Sequence, residues 1–423
     1  MPPINPAALE NDLLLRGVWE GLGRPESHAT GGYVRDRLLG RGSVDLDLAL
    51  AGDLDEVRGP ARRLAARLDT RAHVLGSGSK RVWRIEAPEI RVELWPLADL
   101  SLDDDIRRRD FSCNALVWKL PDGPLVDRVG GLEDLGSHTL RAISKANLED
   151  DPVRLVRAPR FLSQLEGFEL DPESAGWIGA LAPRLADAPR ERIGQELLRL
   201  LIAPGAEIGL RALLDLGLLV PAAPAGATPD PAWLEVNLIA AARLAGAAPH
   251  PLSAAVLEAG RAGSLALLLR AWGAPTAHVA APYAWPRSER RHAARAAMEL
   301  ERAVATAAAP AAARRAFIHR TGAAFPAVIA LAAAVVPDRP WRRWWRLWRA
   351  RAHELVDPTP LLAGPAVATL LGLEEGPELG AAMRVLIEAQ VRGKVRTADG
   401  ARRWLERECS DVVLVGGANH DLS

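Results

Sequence analysis

The spacing of hydrophobic and polar residues changes about a third of the way along the chain. Up to residue 141, Gly, Asp and Pro turns separate a helical stretch at 55–68 from short β-like runs at 46–50, 82–85, 90–95 and 115–119. After residue 147, apolar residues recur every three or four positions, with Pro-containing breaks near 183, 221–231, 247–251 and 281–286. The pattern predicts an α+β protein, in which a small N-terminal domain with a mixed β-sheet precedes an extended all-α region.

Composition narrows the class of protein without indicating a partner. The 423 residues include 53 basic and 53 acidic side chains, so net charge does not indicate a polyanionic ligand. Two cysteines, Cys113 and Cys409, exclude a disulfide framework and a Cys-rich zinc module. Cys113 is predicted to be a core thiol, since no His lies near it in sequence. No apolar run approaches ~20 residues and the N-terminal residues lack a secretory pattern, so we expect a cytoplasmic protein without a membrane partner.

A glycine pair followed by two aspartates carries the clearest chemical signal. Gly31 and Gly32 precede a helical segment, where the backbone can approach a phosphate and the helix N-terminus offers N–H donors. Asp45 and Asp47 are two apart in a β-like run, so both carboxylates emerge on one face. Such a pair suits Mg²⁺ and two-metal phosphoryl transfer. An isolated pair of this kind is more often two solvated aspartates on an edge strand.

Glu93 lies in the following β-like run, at residues 90–95. A third carboxylate on a neighbouring strand can complete metal coordination or help to deprotonate an attacking hydroxyl. The alternative is a solvent-facing side chain.

Residues 107–116 join three arginines, an acid and an amide to an apolar run. Arg109 can hold a triphosphate, while Asp110 and Asn114 can hydrogen-bond a ribose. Arg107 and Arg108 are predicted to be solvated at a charged helix start.

Residues 150–161 open the helical region. Asp150 is a candidate N-cap, and Pro159 is expected to kink the helix or end its first segment. The next residues of interest are spaced by three and are expected to share one helical face: Asp151, Arg154, Arg157 and Arg160. An acceptor beside fixed donors can pair with the edge of a nucleobase, with the last arginine reaching towards phosphates. An intrahelical ladder of ion pairs is the alternative.

Residues 341–349 form the densest run of Trp and Arg. Its four tryptophans follow the spacing i, i+3, i+4, i+7 and share one helical face. Interleaved Arg and Trp can bind RNA, but a buried aromatic stripe with arginines on the solvated side is favoured.

Together these segments resemble the class II tRNA nucleotidyltransferases, that is, the CCA-adding enzymes and their bacterial poly(A) polymerase relatives. The first motif is matched by residues 31–40 with Asp45 and Asp47, and the second by residues 108–115. Further motifs are matched by Asp127 with Gly130, Gly131 and Asp134, by residues 150–161, and by residues 191–197. Residues 372–397 look like the C-terminal tail of the family.

The resemblance implies a nucleotidyltransferase head at 1–146, a base-reading helical neck at 147–205, a body at 206–335 and a tRNA-binding tail at 336–423. It implies that Gly32 and Arg35 contact the nucleotide, that Asp45 and Asp47 hold Mg²⁺ with Glu93 as third carboxylate, and that Arg109 binds ribose or phosphate. Asp151 and Arg154 would read the base, with Arg157 and Arg160 completing the pocket. The partners implied are tRNA and CTP, or also ATP.

Two departures refine this expectation. The fourth motif normally begins with Glu, and here Asp150 takes that place. In CCA-adding members a longer charged loop follows the residue matching Glu93, whereas here only residues 94–107 separate Glu93 from Arg108. The short segment resembles C-adding members, so we expect an enzyme that adds CC and leaves the final A to a separate enzyme. Full CCA addition, A or poly(A) addition, and a catalytically dead RNA-binding protein are the alternatives.

Overall fold

The computed structural model describes residues 4–76, 78, 81–98, 100–245, 253–274 and 281–408, apart from the side chains of 253–260. Cys409 and the break predicted at 247–251 lie outside these residues. The chain forms two compact units. The first comprises Met1–Pro189 and Asp215–Pro221, and the second comprises Arg190–Leu214 and Ala222–Ser423.

The first unit contains a seven-stranded mixed sheet in the order β3-β4-β5-β2-β1-β6-β7. Its neighbours are antiparallel except β2 and β5, which are parallel. The strands are β1 Ser27–Thr30, β2 Asp45–Leu50, β3 Ala72–Leu75, β4 Val82–Ala87, β5 Ile90–Pro96, β6 Val117–Lys119 and β7 Leu125–Val126. Two further strands, β8 Thr139–Leu140 and β9 Glu169–Leu170, pair in parallel. The α+β prediction is confirmed, and β2, β4, β5 and β6 coincide with the four predicted runs.

Helices make up most of the remaining chain. Through residue 181 they are α1 Ala7–Glu10, α2 Leu13–Leu22, α3 Gly31–Leu38, α4 Arg58–Arg67, α5 Leu102–Arg107, α6 Gly131–Gly136, α7 Lys145–Asp150, α8 Val153–Gln164 and α9 Pro172–Leu181. Up to residue 271 they are α10 Arg190–Leu201, α11 Ala206–Asp215, α12 Leu219–Ala222, α13 Pro231–Val236, α14 Leu238–Leu244 and α15 Ser253–Ala271. The last are α16 Arg287–Ala305, α17 Ala311–Thr321, α18 Phe325–Val335, α19 Trp341–Val356, α20 Gly364–Leu371, α21 Pro377–Arg392 and α22 Ala398–Glu408.

The junction between α7 and α8 corrects two expectations. Asp150 is not an N-cap, because it is the last residue of α7. Asp151 is extended and lies just outside α8, where its Oδ1 accepts the backbone N–H of Val153 at 3.3 Å. An end of the helix at Pro159 is also wrong, since α8 continues to Gln164. The residues flanking Pro159 are buried, so packing offsets the backbone hydrogen bond that proline removes.

The apolar segment Ala311–Val335 has the length and mean hydropathy, 1.5, of a membrane-crossing helix, and 67% of its most apolar window is buried inside the protein. It comprises α17, a short 3₁₀ turn and α18. In α18 the side chains of Val328, Ile329 and Leu331 are at most 1% exposed. This burial is typical of the core helix of a folded domain.

Three of the four tryptophans of α19 are buried, as the favoured interpretation predicts, and Trp348 is half-buried. Trp341 and Trp344 are at most 1% exposed, and the indole of Trp344 donates to Ala307 O at 2.8 Å. Trp344 also meets Phe317 edge-on, with 5.2 Å between ring centroids. The arginines of the run are exposed: Arg342, Arg343, Arg346 and Arg349. The buried aromatic rings therefore contribute to the core, and the arginines lie on the exposed, basic side of α19.

Candidate active site

Strand β2 presents Asp45 and Asp47 on the same face, because Leu46 and Leu48 between and after them are buried in the core. Asp45 is exposed and Asp47 is half-buried. The parallel register with β5 places Asp45 opposite Arg91 and Asp47 opposite Glu93. The three carboxylates expected from sequence therefore lie on two adjacent strands.

Arginines on β5 and β4 form ion pairs with Asp45 and Glu93. Arg91 Nη1 lies 2.9 Å from Asp45 Oδ1, and Arg84 Nε donates to Glu93 Oε1 at 2.9 Å. Among the described residues, no group of three or more His, Cys, Asp or Glu side chains is arranged to hold a metal ion. The structure thus shows a carboxylate pair on β2 with Glu93 beside it, and the role of Glu93 as third carboxylate stays a prediction.

The pKa of Asp47 is raised to about 6. Burial is the largest cause, followed by the negative charge of Glu93, while the charge of Arg109 acts in the opposite direction. Crowded carboxylates repel one another unless a cation lies between them, and carboxylate oxygens are the hard donors that Mg²⁺ prefers. The donor set on β2 therefore fits a divalent metal.

The glycine pair predicted to approach phosphate lies directly beside Asp47. Strand β1 ends at Thr30, and α3 begins at Gly31 with a positive φ of +71°. A Cβ at Gly31 would lie 3.2 Å from Asp47 Oδ2 and 3.5 Å from Arg109 Nη1. A Cβ at Gly32 would lie 3.5 Å from Arg35 Nη2. The turn thus lies between Asp47 and Arg109 at Gly31, and beside Arg35 at Gly32.

Arg109 is held by a residue that no sequence motif singled out. Its Nη2 lies 2.7 Å from Asp105 Oδ2, and its Nη1 donates to the backbone oxygen of Asn114 at 3.3 Å. The i, i+4 spacing of Asp105 and Arg109 is the signal that could have revealed this pair. Arg107 and Arg108 are exposed, as predicted, but the expected helix start is wrong, because Arg107 is the last residue of α5 and Arg108 caps its C-terminus.

Asp110 and Asn114 are buried and connect the two helices that carry arginines. Arg35 of α3 donates to Asn114 Oδ1, and Asn114 Nδ2 lies 3.4 Å from Asp110 Oδ1. On the other side, Arg157 Nη1 of α8 lies 3.0 Å from Asp110 Oδ2. Burial alone would raise the pKa of Asp110, but the charge of Arg157 and the backbone N–H of Phe111 outweigh it, so the pKa is lowered. Asp110 therefore stays ionised and orients the arginines.

The base-reading candidates follow this network along the chain. Arg154 Nη1 donates to Asn147 O at 3.0 Å, while Arg160 is 8% exposed and lies over the ring of Phe161. The expectation that Asp151 shares a helical face with these arginines is wrong, because Asp151 is extended and lies in the α7–α8 junction, before α8 begins at Val153. All candidate site residues belong to the first unit.

The third matched motif organises the backbone of this unit. The carboxylate of Asp127 accepts the backbone N–H groups of Val129, Gly130, Gly131 and Leu132. Burial would raise the pKa of Asp127, but these hydrogen bonds lower it.

Cys113, in the neighbouring turn, is fully buried, and burial raises the pKa of its thiol to about 12. It is a core thiol, as predicted.

Comparison with known proteins defines the class of enzyme. The family model for the poly A polymerase head domain matches residues 28–141. A second model, described as "Probable RNA and SrmB- binding site of polymerase A", matches residues 167–227. The mixed N-terminal sheet and the match to the head domain together define the chain as a nucleotidyltransferase.

Relatives that align over most of the chain identify the family. An A-adding tRNA nucleotidyltransferase from Deinococcus radiodurans is 31% identical, over 90% of this chain and 95% of the relative. A CC-adding tRNA nucleotidyltransferase from Thermus thermophilus is 32% identical, over 90% of this chain and 93% of the relative. The chain therefore belongs to the tRNA nucleotidyltransferase family of CC-, CCA- and A-adding enzymes.

Solved structures share the fold across nearly the whole chain. The CCA-adding enzyme of Bacillus stearothermophilus, solved in complex with CTP, has a TM-score of 0.71 at 24% identity and covers 97% of this chain and 100% of its own. The CCA-adding enzyme of Thermotoga maritima, solved with tRNA, has a TM-score of 0.64 at 17% identity, covering 96% and 99%.

Proposed function

We propose that this enzyme adds two C residues to the 3′ end of tRNA, using CTP and releasing pyrophosphate. The observation that carries the chemistry is the carboxylate pair Asp45 and Asp47 on one face of β2, with Gly31 packed against Asp47. In this proposal the attacking and leaving oxygens lie beside the carboxylate pair, and the triphosphate binds at the adjacent glycine turn.

In the proposed reaction, the 3′-hydroxyl oxygen of tRNA forms a bond to the α-phosphorus of CTP. The bond from that phosphorus to the bridging oxygen breaks, and pyrophosphate leaves. Asp45 and Asp47 would hold Mg²⁺, which when bound would neutralise charge on the attacking and leaving oxygens. Glu93 beside Asp47 would take the proton of the attacking hydroxyl, or would complete the coordination of the metal, in which case the proton passes to solvent water.

The arginines and amides of the first unit bind the nucleotide in this proposal. Gly31, Gly32 and Arg35 receive the triphosphate, and Arg109 binds ribose or phosphate from a guanidinium already oriented by Asp105. The remaining nucleotide contacts come from the buried network and from α8 with its preceding junction: Asp110, Asn114, Asp151, Arg154, Arg157 and Arg160.

The choice of CC addition rests on the segment after Glu93. Strand β5 ends at Pro96 and α5 begins at Leu102, so residues 97–101 alone connect them. A short connection leaves little chain to reshape the pocket from C to A. Similarity to the A-adding enzyme of Deinococcus radiodurans favours the second candidate, an enzyme that adds A or the whole CCA.

The rest of the chain is assigned to the same task. We propose a head at 1–146, a base-reading neck at 147–205, a body at 206–335 and a tail at 336–423 that binds tRNA, with the exposed arginines of α19 among the candidate RNA contacts. A separate A-adding enzyme would complete the product in the cytoplasm.

Nucleotide incorporation tests the proposal. The protein is incubated with tRNA lacking its CCA end, and with tRNA ending in CC, in the presence of CTP alone, ATP alone or both. We expect two C residues on the first tRNA and no A on either. Addition of A to tRNA ending in CC would refute CC-only activity, and the first tRNA would then distinguish a CCA-adding enzyme from an A-adding one. No incorporation under any condition would contradict the assignment as a whole.

A further inference from the structure

A single aromatic ring lies under three of the arginines of the proposed nucleotide site. Phe161 of α8 is 2% exposed. The guanidinium carbon of Arg160 is 3.9 Å from the centre of its ring, that of Arg35 is 5.4 Å away, and that of Arg157 is 5.5 Å away. Arg35 belongs to α3, so the ring connects two helices.

Three guanidinium groups gathered round one buried ring repel one another. The negative π face of an aromatic ring attracts cations, and the attraction grows when water is excluded. Asp110 neutralises Arg157, and the amide of Asn114 receives Arg35. Arg35 also pairs with Asp36, its Nη2 lying 2.8 Å from Asp36 Oδ1. The ring therefore adds a contact to arginines that polar partners already hold, and it is the contact that Arg35, Arg157 and Arg160 share.

We propose that Phe161 is a positioning residue of the nucleotide site: its π face holds Arg35, Arg157 and Arg160 in the geometry in which they receive CTP. This inference rests on the proposed function, which assigns those arginines to the nucleotide. A purely structural ring would instead serve as a core side chain, packed edge-on against Phe111 with 5.5 Å between ring centroids.

Stepwise fluorination separates the two roles. Phenylalanine with one, two or three ring fluorines is incorporated at position 161, which weakens the π face while hardly changing the size of the ring. Equilibrium binding of CTP in the absence of tRNA and the KM for CTP are measured for each protein, together with thermal unfolding. We expect CTP affinity to fall at each step, to roughly 10-fold in total, with kcat and the unfolding temperature changing little.

Phe168 provides the matched control. It is a buried phenylalanine of the same unit, 6% exposed, and its ring packs against His138 at 5.4 Å. The same fluorinated series at Phe168 should leave CTP binding unchanged. CTP affinity that stays constant along the series at Phe161, or that falls equally at Phe168, would overturn the positioning role.

An arginine variant keeps this test separate from the proposed function. Arg154→Ala removes a proposed base contact without touching the ring. If it weakens CTP binding while fluorination at Phe161 has no effect, the nucleotide site stands and only the role of Phe161 is refuted. If neither change affects CTP binding, the assignment of the site itself is refuted.

Discussion

Gly31 lies against the carboxylate of Asp47, so close that a Cβ at Gly31 would stand 3.2 Å from Asp47 Oδ2. Its φ of +71° belongs to the left-handed region, which side chains disfavour. The positive φ and the lack of a side chain thus act together, and they let the turn lie directly against the carboxylate face of β2.

Gly31→Ala tests this relationship. We expect the free energy of unfolding to fall by about 1 kcal/mol from the backbone conformation alone. We also expect kcat/KM for CTP to fall at least tenfold, because the methyl group crowds Asp47. Gly167→Ala is the control, since Gly167 has a φ of +78° and a methyl group there would have no neighbouring atom within 4 Å. It should lose similar stability and retain incorporation. Equal activity of the two variants would contradict the prediction.

Asp45→Ala should abolish nucleotide transfer, with a loss of about 10³-fold or more, because a metal ion contributes several kcal/mol to transition-state stabilisation. Binding of tRNA and thermal stability should change little, since the Asp45 side chain is 62% exposed and its ion pair with Arg91 is on the surface. Asp103→Ala is matched to it, as Asp103 is 50% exposed and pairs with Arg128 at 2.9 Å. Normal turnover by Asp45→Ala would refute the metal assignment.

Metal binding should depend on pH through Asp47, whose pKa is about 6 in the metal-free protein. A protonated carboxyl cannot ligate the ion, so apparent Mg²⁺ affinity should be constant above pH 7 and fall by about tenfold per pH unit below 6. Calorimetric titration with Mg²⁺ between pH 5 and 8 measures it. Constant affinity over that range would contradict the raised pKa.

The raised pKa of Asp47 also makes the stability of the metal-free protein depend on pH. This dependence runs opposite to that of Mg²⁺ affinity, because the free energy of unfolding should fall as pH rises. The folded state binds the proton of Asp47 more tightly than the unfolded state, so stability should decline as pH rises from about 4 to 6. Asp47→Asn should remove this component from urea unfolding measured across that range. An identical pH dependence in the variant would show that other groups cause it.

Arg157→Ala should leave the buried Asp110 carboxylate without its ion-pair partner. We expect a loss of about 3 kcal/mol at pH 7, because an uncompensated buried charge is costly. The pKa of Asp110 should then rise, so the loss should shrink as pH falls and the carboxyl becomes neutral. Urea unfolding at pH 7 and pH 4.5 measures both effects. Adding Asp110→Asn should restore part of the stability at pH 7, and failure to do so would argue against a charge effect.

Much of the candidate site follows from local sequence. Alternation along β2 indicates that Asp45 and Asp47 share a face, and the glycine pair indicates a turn before a helix. Two further contacts could not be read from the spacing of residues in the sequence. The contact of Arg84 with Glu93 depends on strand pairing, and the ion pair of Asp105 with Arg109 depends on side-chain rotamers. The expectation that Asp150 is an N-cap is wrong because the local sequence does not show that two helices meet here. An Asp that ends one helix and an Asp that caps the next look the same in such a sequence.

The sequence by itself determined the α+β class, the carboxylate pair, the order of the motifs and the buried face of α19, because side-chain periodicities of two and 3.6 residues are local properties. Only the tertiary structure decided which distant residues meet. Asn114 reaches Arg35 across 79 residues, and Phe161 joins α3 to α8. Contacts of this kind depend on how whole elements pack against one another, and that packing is a property of the complete core.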